Sequence, residues 1–210
     1  KISLLGIWLL SLGTLIFSGI KQANSYSIRG NQMEKIILIK NKTIDTLYLK
    51  ANESEHFEYS KNDYFDGISI SYDTNGKEVL YSKQVSLNIK NAYEEVISLK
   101  KYKSANGYSY IEAKERANAI EYRFDYSGNH LEFNNYFISA TNHKIRDQKI
   151  DMTLLVPTGT IIVLDPSMRE LLGWNTKNDQ DMYRKDLPDQ LWEMTDSGTL
   201  KCLDCLSSPI

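Results

Sequence analysis

The sequence predicts a mainly β protein, in which an N-terminal transmembrane helix is followed by an antiparallel β-rich domain with one short amphipathic helix. Three observations predict this fold class. Residues 2–20 contain no charged side chain. Beyond them, short segments in which apolar and polar residues alternate are separated by Gly and Asn, which is typical of strands and turns. Only near residues 110–120 does the apolar period lengthen to about 3.6 residues, as in a helix.

Residues 1–21 form the predicted transmembrane helix. At about 1.5 Å per residue, the uncharged run is roughly 28 Å long, close to the ~30 Å hydrocarbon thickness of a bilayer. A cleaved signal peptide is the rival interpretation, but it would have a shorter apolar core, and residues 23–25 match a cleavage site poorly. The chain begins with Lys1 and not with Met, so we expect further sequence upstream.

Ser11, Thr14 and Ser18 share one face of this helix. Stripes of small polar residues pack against other helices in lipid, and a parent protein with several spans would explain this one. Ordinary tolerance of Ser and Thr in membrane helices explains it equally well. The expected partners of the segment are the lipid bilayer and other membrane helices of a parent protein.

Polar residues 22–35 predict a tether that leaves the membrane surface, and the β-rich domain is expected over residues 36–201. Its first strands are predicted at 36–39 and 44–49. We interpret residues 52–66, which are charged and aromatic without a clear period, as a long surface connection.

The clearest local signal is a β-hairpin over residues 67–82. Ile68, Ile70 and Tyr72 alternate with polar residues, and Asn75-Gly76 supplies the residues that a tight hairpin turn requires. Short strands follow at 85–89 and at 96–99, the latter predicted to end in Lys100-Lys101.

The amphipathic helix is predicted at residues 110–120, with Ala113, Ala117 and Ile120 on one side, lying across an open end or a face of the sheet. Further strands are expected at 121–126, 130–133, 148–156 and 160–164. The turn Pro157-Thr158-Gly159 is predicted to join the last two as a hairpin-like pair. Two short strands or irregular edges complete the domain.

The charge pattern disfavours nucleic acid as a partner. The net charge is −2, and no run of five like charges occurs, whereas nucleic-acid binding needs a clustered basic surface. Two cysteines cannot cross-link a domain of this size, so its stability must come from packing.

Cys202 and Cys205, in the predicted tail 202–210, form the one motif that could carry chemistry. A zinc site needs four ligands, and the histidines, His56, His130 and His143, are distant in sequence. A redox pair would stand at a helix N-terminus. A local disulfide or two idle thiols is the favoured interpretation, and we predict no metal and no cofactor.

The chain contains no motif of a hydrolase elbow, a phosphate-binding loop or a zinc protease. We therefore predict that it is not an enzyme, that it has no small-molecule substrate, and that no pocket of the β domain gathers two titratable groups with a nucleophile. Glycosylation-like patterns occur at 41–43 and 52–54, and they predict no function by themselves.

Five segments occur along the chain in the order 112–117 (EAKERA), 136–137 (YF), 144–148 (KIRDQ), 154–160 (LLVPTGT) and 202–205 (CLDC). Together they resemble the C-terminal half of Bacteroidetes-type PspC-domain (phage shock protein C-like) membrane proteins. The resemblance covers nearly the whole chain and implies a last membrane helix followed by a solenoid- or sandwich-like module called the toast-rack domain. The joint order of the segments is specific, although each alone is weak.

The resemblance implies a non-enzymatic module of an envelope-stress sensor or regulator, acting through protein partners or the envelope. It also implies the bacterial cytoplasmic membrane, with the β domain outside the cytoplasm. The basic residues Lys21, Arg29 and Lys35 after the helix argue for the opposite side. The alternative is an adhesin-like cell-envelope binding module that uses the helix only as an anchor, and a PspC domain upstream of Lys1 would distinguish the two.

Overall fold

The computed structural model describes residues 2–24, 26–39, 45–52, 61–65, 68–73 and 75–205, without the side chains of residues 2, 3 and 61–65. Two α-helices occur in this part of the chain, Ile2–Asn24 (α1) and Tyr110–Asn118 (α2). Short 3₁₀ helices cover Thr141–His143, Pro166–Glu170 and Arg184–Asp186. The strands are Ile28–Ile39 (β1), Thr46–Asn52 (β2), Lys61–Phe65 (β3), Ile68–Tyr72 (β4), Glu78–Ser82 (β5), Val85–Asn91 (β6), Ile97–Gly107 (β7), Phe124–Ser127 (β8), His130–Asn134 (β9), Phe137–Ala140 (β10), Lys149–Val156 (β11), Ile161–Leu164 (β12), Leu191–Met194 (β13) and Leu200–Cys202 (β14).

Helix α1 is the predicted membrane segment. Its portion Leu4–Asn24 is long and apolar enough to cross a bilayer, and none of it is buried inside the protein. The hydroxyls of Ser11 and Thr14 donate to the carbonyls of Trp8 and Ser11, each at 2.8 Å. These hydroxyls are satisfied within α1 itself, so packing against other membrane helices stays a prediction.

The prediction that residues 22–35 form an irregular tether is wrong. Helix α1 continues to Asn24, and β1 begins at Ile28. Strand β1 pairs antiparallel with β7 from Ile28 opposite Gly107 to Ile39 opposite Ile97. Polarity misled the prediction because the outer face of an edge strand is as polar as a linker. The chain therefore passes from the membrane helix into a sheet within a few residues.

The strands form three sheets. Sheet A has the order β1-β7-β11-β6, sheet B the order β14-β13-β12-β2-β9-β8, and sheet C the order β10-β5-β4-β3. Most neighbours are antiparallel, but β6–β11, β2–β12 and β2–β9 are parallel. Parallel neighbours need crossover connections, so the chain passes from sheet to sheet, as in a solenoid. The mainly β class is confirmed; sheet C is antiparallel as predicted, whereas sheets A and B are mixed.

The main hydrophobic core lies between sheets A and B. Strand β11 buries every second residue from Ile150 to Val156, and β2 buries Leu47, Leu49 and Ala51. Both sets belong to one hydrophobic cluster. Trp192 of β13 is fully buried there, and its indole nitrogen donates to the carbonyl of Leu187 at 2.8 Å. Because this large side chain leaves no donor unpaired, it contributes its whole apolar area to the core.

The predicted hairpin is confirmed as β4 and β5, which pair antiparallel from Ile68 opposite Ser82 to Tyr72 opposite Glu78. Gly76 has a φ of 73°, which glycine adopts without steric cost. The amide of Gly76 donates to the carbonyl of Asp73 at 2.9 Å, which closes the turn.

The region predicted as a surface connection, 52–66, contains β3, which pairs with β4. Residues 53–60 lie outside the described residues, as do both Ile44 and the pattern at 41–43. After the 3₁₀ helix that begins at Pro166, the predicted short strands are represented by β13 and by a single bridge between Leu172 and Leu87. Strand β14 extends the sheet into the segment predicted as tail.

The turn at residues 156–160 does not close a hairpin. Strand β11 belongs to sheet A and β12 to sheet B, so the two strands that flank the turn have different neighbours. Gly159, with a φ of 79°, donates its amide to the carbonyl of Met194 in sheet B at 2.8 Å. The prediction was wrong because turn residues indicate a change of direction and not which strands pair.

Strand β7 also continues beyond Lys100-Lys101, where the sequence predicted its end. Lys101 stands opposite Glu34 of β1, and its ammonium lies 2.9 Å from that carboxylate. The ammonium of Lys103 donates to the carbonyl of Ile120 at 2.6 Å. Partial burial and the neighbouring Lys101 lower the pKa of Lys103. Lys101 and Lys103 are tolerated in this strand because their ammonium groups have partners and their aliphatic stems cover apolar surface.

Helix α2 lies against β1 and β7, as predicted for a helix on a sheet face. Ala113 and Ala117 are completely buried, and the two strands present Gly30 and Gly107 beneath them. A Cβ added at Gly30 would lie 2.4 Å from the Lys114 amide nitrogen and 2.5 Å from the Ala113 carbonyl carbon. Glycine is required here because only a residue without a side chain lets the helix backbone approach so closely.

Replacing Gly30 by Ala should therefore separate α2 from β1. The clash is with backbone atoms, which no side-chain rotation can relieve, so we expect a loss of about 2 kcal/mol or more in the free energy of unfolding. The measurement is denaturant unfolding of the full chain in detergent. Gly19→Ala is the matched control, since its Cβ would have no neighbour within 4 Å. Equal stability of the Gly30→Ala variant and the unchanged protein would contradict the packing.

Candidate functional site

The two cysteines are joined to each other as a disulfide, with their Cα atoms 5.7 Å apart. Cys202 ends β14, and its amide donates to a carboxylate oxygen of Asp179 at 3.0 Å. Between the cysteines, the carboxylate of Asp204 accepts from the amide of Leu191 at 2.8 Å. The closed loop fastens β14 to the start of β13. No helix begins at this pair, so the geometry of a thioredoxin-type site is not present there.

Cys202, Asp204 and Cys205 place one ligand atom each within 4.8 Å of one another. Two of these atoms are sulfurs of a disulfide, which are not the thiolates that zinc requires, and a structural zinc site needs four ligands. His130 and His143 do not belong to this group, and His56 lies outside the described residues. The donor set does not fit a zinc ion.

A groove of about 400 Å³ lies on the outer side of sheet B, and Asp204 lies at its wall. Tyr48 of β2 and His130 of β9 stand opposite each other in parallel register and stack with ring centroids 4.8 Å apart. No sequence signal predicts this pair, because the two residues are distant in the chain and meet only through the pairing of β2 and β9. Titratable side chains in the described lining are Tyr48, Lys50, His130, Glu132, Asp165, Asp189 and Asp204.

The groove gathers titratable groups, but its described lining contains no Ser, Thr or Cys. Glu132 accepts from the side-chain amide of Asn52 at 3.1 Å. Asp165 accepts from the amide and the hydroxyl of Ser167 at 2.9 and 2.6 Å and so caps a 3₁₀ helix. These hydrogen bonds lower the pKa of Asp165. At least two of the carboxylates thus have structural partners, and the arrangement resembles a binding surface more than a reaction centre.

The prediction that no pocket gathers two titratable groups with a nucleophile is wrong for a second groove, of about 370 Å³, whose described lining contains Ser86, Asp151 and Glu170. The Ser86 hydroxyl donates to the Asp151 carboxylate at 2.8 Å.

A second exposed surface surrounds Trp174, which also lines this groove. This side chain is 70% exposed, the Arg184 guanidinium lies 4.5 Å above its ring, and Tyr183 meets it edge-on at 5.1 Å. Trp, Tyr and Arg are the residues most enriched at the energetic centres of protein interfaces. Sequence analysis did not identify this cluster, since Trp174 and Arg184 approach each other only through the irregular chain between Leu172 and Leu187.

The junction between α1 and the β domain is the site that relates the membrane to the rest of the protein. The amide of Tyr26 donates to the carbonyl of Ala23 at 3.1 Å and thereby extends the helical path. The Tyr26 hydroxyl donates to the carbonyl of Ile145 at 3.0 Å, and the Arg146 guanidinium lies 4.7 Å from the centroid of the Tyr26 ring. Tyr26 thus connects the end of the membrane helix to the loop before β11. A Tyr directly after an apolar helix was the available signal, because aromatic residues favour membrane interfaces.

The segment 144–148, singled out in the sequence, forms the domain side of this junction. Asp147 has a φ of 51°, and its carboxylate lies 3.1 Å from the Arg29 guanidinium and 2.9 Å from the Lys149 ammonium. The buried side chain of Gln148 accepts from the amide of Arg146 at 2.7 Å and donates to the carbonyl of Lys144 at 2.6 Å. The segment therefore folds on itself and at the same time holds β1.

Helix α2 supplies the third part of the junction. The hydroxyl of Ser109 caps the helix by accepting from the amide of Glu112 at 3.2 Å, and Glu112 accepts in return from the amide of Tyr108 at 2.8 Å. Arg116 pairs with Glu112 at 2.6 Å and donates to the carbonyl of Asn106 at 3.1 Å. This reciprocal capping explains why the charged segment 112–117 is helical. Glu112 and Arg116 fix α2 to the end of β7.

Asp165→Asn should test the structural role of one groove carboxylate. Because the folded pKa of Asp165 is lowered, its contribution to stability is complete above the unfolded pKa near 4 and is lost as the pH falls through the folded value. Asn keeps a capping oxygen but loses the charge of the acceptor, so we expect the variant to lose only about 0.5 kcal/mol of unfolding free energy at neutral pH, with the difference disappearing in acid. Unfolding curves at neutral and acidic pH measure this, with exposed Asp125→Asn as the control. A difference that persists unchanged in acid would contradict the assignment.

The chain was compared with known proteins. No curated protein and no solved structure matches it. A family model described as ToastRack found in some PspC matches residues 71–208, which include α2, the segment 144–148 and the cysteine pair. The match covers more than half of the chain and agrees with the resemblance that the sequence motifs indicate. The chain belongs to the family of C-terminal toast-rack domains found in some PspC proteins.

Proposed function

We propose that the chain is the extracytoplasmic, membrane-anchored module of a PspC-type envelope-stress regulator, and that it acts through protein or envelope contacts without catalysis. The observation that carries this proposal is the short connection between α1 and β1, at which Tyr26 contacts the loop at Ile145. A domain that only needed an anchor could hang on a flexible linker. Here the membrane helix leads directly into an edge strand of the core sheet.

Tyr26 is the contact between the end of α1 and the β domain, and two further contacts hold the following strand β1 within the domain. Tyr26 contacts the loop at Ile145 and Arg146, Arg29 pairs with Asp147, and α2 packs on Gly30. A force or partner that tilts the β domain would therefore also tilt α1. Signalling devices in membranes commonly use such rigid-body motions of packed elements.

Two observations support an extracytoplasmic position. Disulfides such as Cys202–Cys205 persist in oxidising compartments and are rare in the cytosol. Moreover, Arg29 and Lys35, which argued for the cytoplasm, pair with Asp147 and Glu94 at 3.1 and 3.8 Å. They belong to a folded strand, whereas the positive-inside bias is counted on short loops.

An adhesin-like binding module is the second candidate function, and the exposed cluster of Trp174, Tyr183 and Arg184 favours it. Such a module would use the same β domain and would need α1 only as an anchor. The two functions differ in what they require of the junction.

Inserting a Gly-Ser segment after Asn24 should separate these two functions. In a PspC regulator that carries this chain, we expect the insertion to abolish the stress-dependent output while leaving membrane insertion and folding of the β domain intact, because such segments behave as random coil. A reporter of the stress response measures the output. The same segment inserted at the tip of the β4–β5 turn, between Asn75 and Gly76, is the matched control. Unchanged output from a folded insertion variant would favour the adhesin-like function.

The side of the membrane can be tested with the cysteine pair. Intact cells are treated with a membrane-impermeant reductant and then with a membrane-impermeant maleimide. We expect Cys202 and Cys205 to be labelled in intact cells only after reduction, because the disulfide must first be opened. The double variant Cys202→Ser, Cys205→Ser gives the background. Labelling that requires cell lysis would place the β domain in the cytoplasm and contradict the proposal.

A further inference from the structure

A cavity of about 550 Å³ lies between the last turns of α1 and the end of the β domain. Its helix side includes Phe17 and Ile20, which belong to the apolar run, and Lys21, the first charged residue after it. The domain therefore approaches α1 at the level where the apolar segment ends. In a bilayer this is the depth at which hydrocarbon changes to headgroups. On the domain side the described lining consists of Tyr108, Glu112, Arg116, Lys144 and Arg146.

The cavity carries an excess of positive charge. Four cationic side chains and one carboxylate, Glu112, line it. Glu112 is already engaged by Arg116 at 2.6 Å and by the amide of Tyr108 at 2.8 Å. Within the described residues, Lys21, Lys144 and Arg146 form no ion pair. The cavity thus presents three cations that the protein itself does not neutralise.

Arg146 is the least solvated of these cations, with 7% of its surface exposed. Its guanidinium donates from Nη1 to the carbonyl of Ile145 at 2.6 Å and to the hydroxyl of Tyr26 at 3.3 Å. Its Nε is buried without a hydrogen-bond partner in the described structure. A buried guanidinium that has neutral partners and a vacant donor is unfavourable unless an anion completes its environment. The fork of a guanidinium matches phosphate geometry.

An apolar and aromatic edge lies next to the cavity at the start of α2. Tyr108, Tyr110 and Ile111 are 63%, 55% and 70% exposed. Exposure to water does not stabilise these apolar surfaces, whereas Tyr favours the membrane interface and Ile favours hydrocarbon. Because Tyr108 and the helix residue Phe17 line the same cavity, this edge faces the surface that α1 enters.

We propose that this cavity binds the phosphate-bearing headgroup of an anionic phospholipid. Arg146 and Lys144 contact the phosphate, Lys21 adds attraction from the helix side, and Tyr108, Tyr110 and Ile111 lie at the acyl boundary. Lipid is favoured over a free anion because Phe17 and Ile20, from the apolar run of α1, form part of one wall of the cavity. The inference uses the anchored geometry of the proposed function but does not require that the domain signals.

The test uses the full chain in nanodiscs of phosphatidylcholine, with or without added phosphatidylglycerol. Native mass spectrometry after release from the disc measures the retained lipid. We expect the unchanged protein to retain phosphatidylglycerol, and both Arg146→Gln and Lys144→Gln to retain it about tenfold less, since each removes a charge-assisted contact. Lys201→Gln, which removes an exposed charge that does not line the cavity, is the matched control and should behave as the unchanged protein.

Thermal unfolding followed by Trp fluorescence provides the second measurement, because a ligand of the folded state raises the midpoint. Phosphatidylglycerol should raise it in the unchanged protein and in Lys201→Gln but not in Lys144→Gln. If Arg146→Gln fails to fold, Lys144→Gln still decides, since the Lys144 side chain is exposed. Equal retention of phosphatidylglycerol by all variants would overturn the proposal, because the lipid would then be attracted by the overall charge of the protein and not by this cavity. Equal protection by soluble glycerol phosphate in phosphatidylcholine discs would also overturn it, because the ligand would be a free anion.

Discussion

The antiparallel pairing of β1 with β7 connects the membrane helix to the β domain, and the other parts of the junction depend on it. This pairing brings Gly30 beneath α2, places Arg29 beside Asp147, and aligns Glu34 with Lys101. Each of these contacts joins segments that are more than 60 residues apart in the chain. Without β1 in the sheet, α2 would lose one of its two supporting strands, and Lys101 would be a buried cation without its carboxylate.

Charged side chains at the two ends of the domain have different kinds of partner. At the junction, Arg29, Lys101 and Arg116 each have a carboxylate partner, whereas Arg146 has only neutral ones. At the end near the cysteines, the carboxylate of Asp204 accepts from a backbone amide and organises a strand end. Arg184 in the Trp174 cluster resembles Arg146, since its buried Nε also has no hydrogen-bond partner in the described structure. The junction and the Trp174 cluster thus each have one guanidinium whose hydrogen bonding is incomplete.

Local patterns predicted the elements whose stability is local. The β4–β5 hairpin follows from alternation and a glycine turn, and α2 follows from its apolar spacing. The cap formed by Ser109 and Glu112 was not part of that prediction, but it stabilises the start of α2. Pairings between distant segments were not accessible in the same way. The flanks of the 156–160 turn go to different sheets, and β7 passes through Lys101 because Glu34 faces it. The cysteine motif was visible in the sequence, but Tyr26, the Tyr48–His130 stack and the Trp174 cluster depend on tertiary contacts.

Strand β2 lies in the middle of sheet B, and both of its neighbours come much later in the chain. It pairs in parallel with β9 on one edge and with β12 on the other. The first edge has no partner until residues near 134 have been synthesised, and the second has none until residues near 164. Contacts between such remote segments give a high contact order, which slows folding. The nascent domain must therefore emerge almost completely before its largest sheet can form. During that interval α1 can already be inserted in the bilayer, so that the unfinished strands are held at the membrane surface while the rest of the chain arrives.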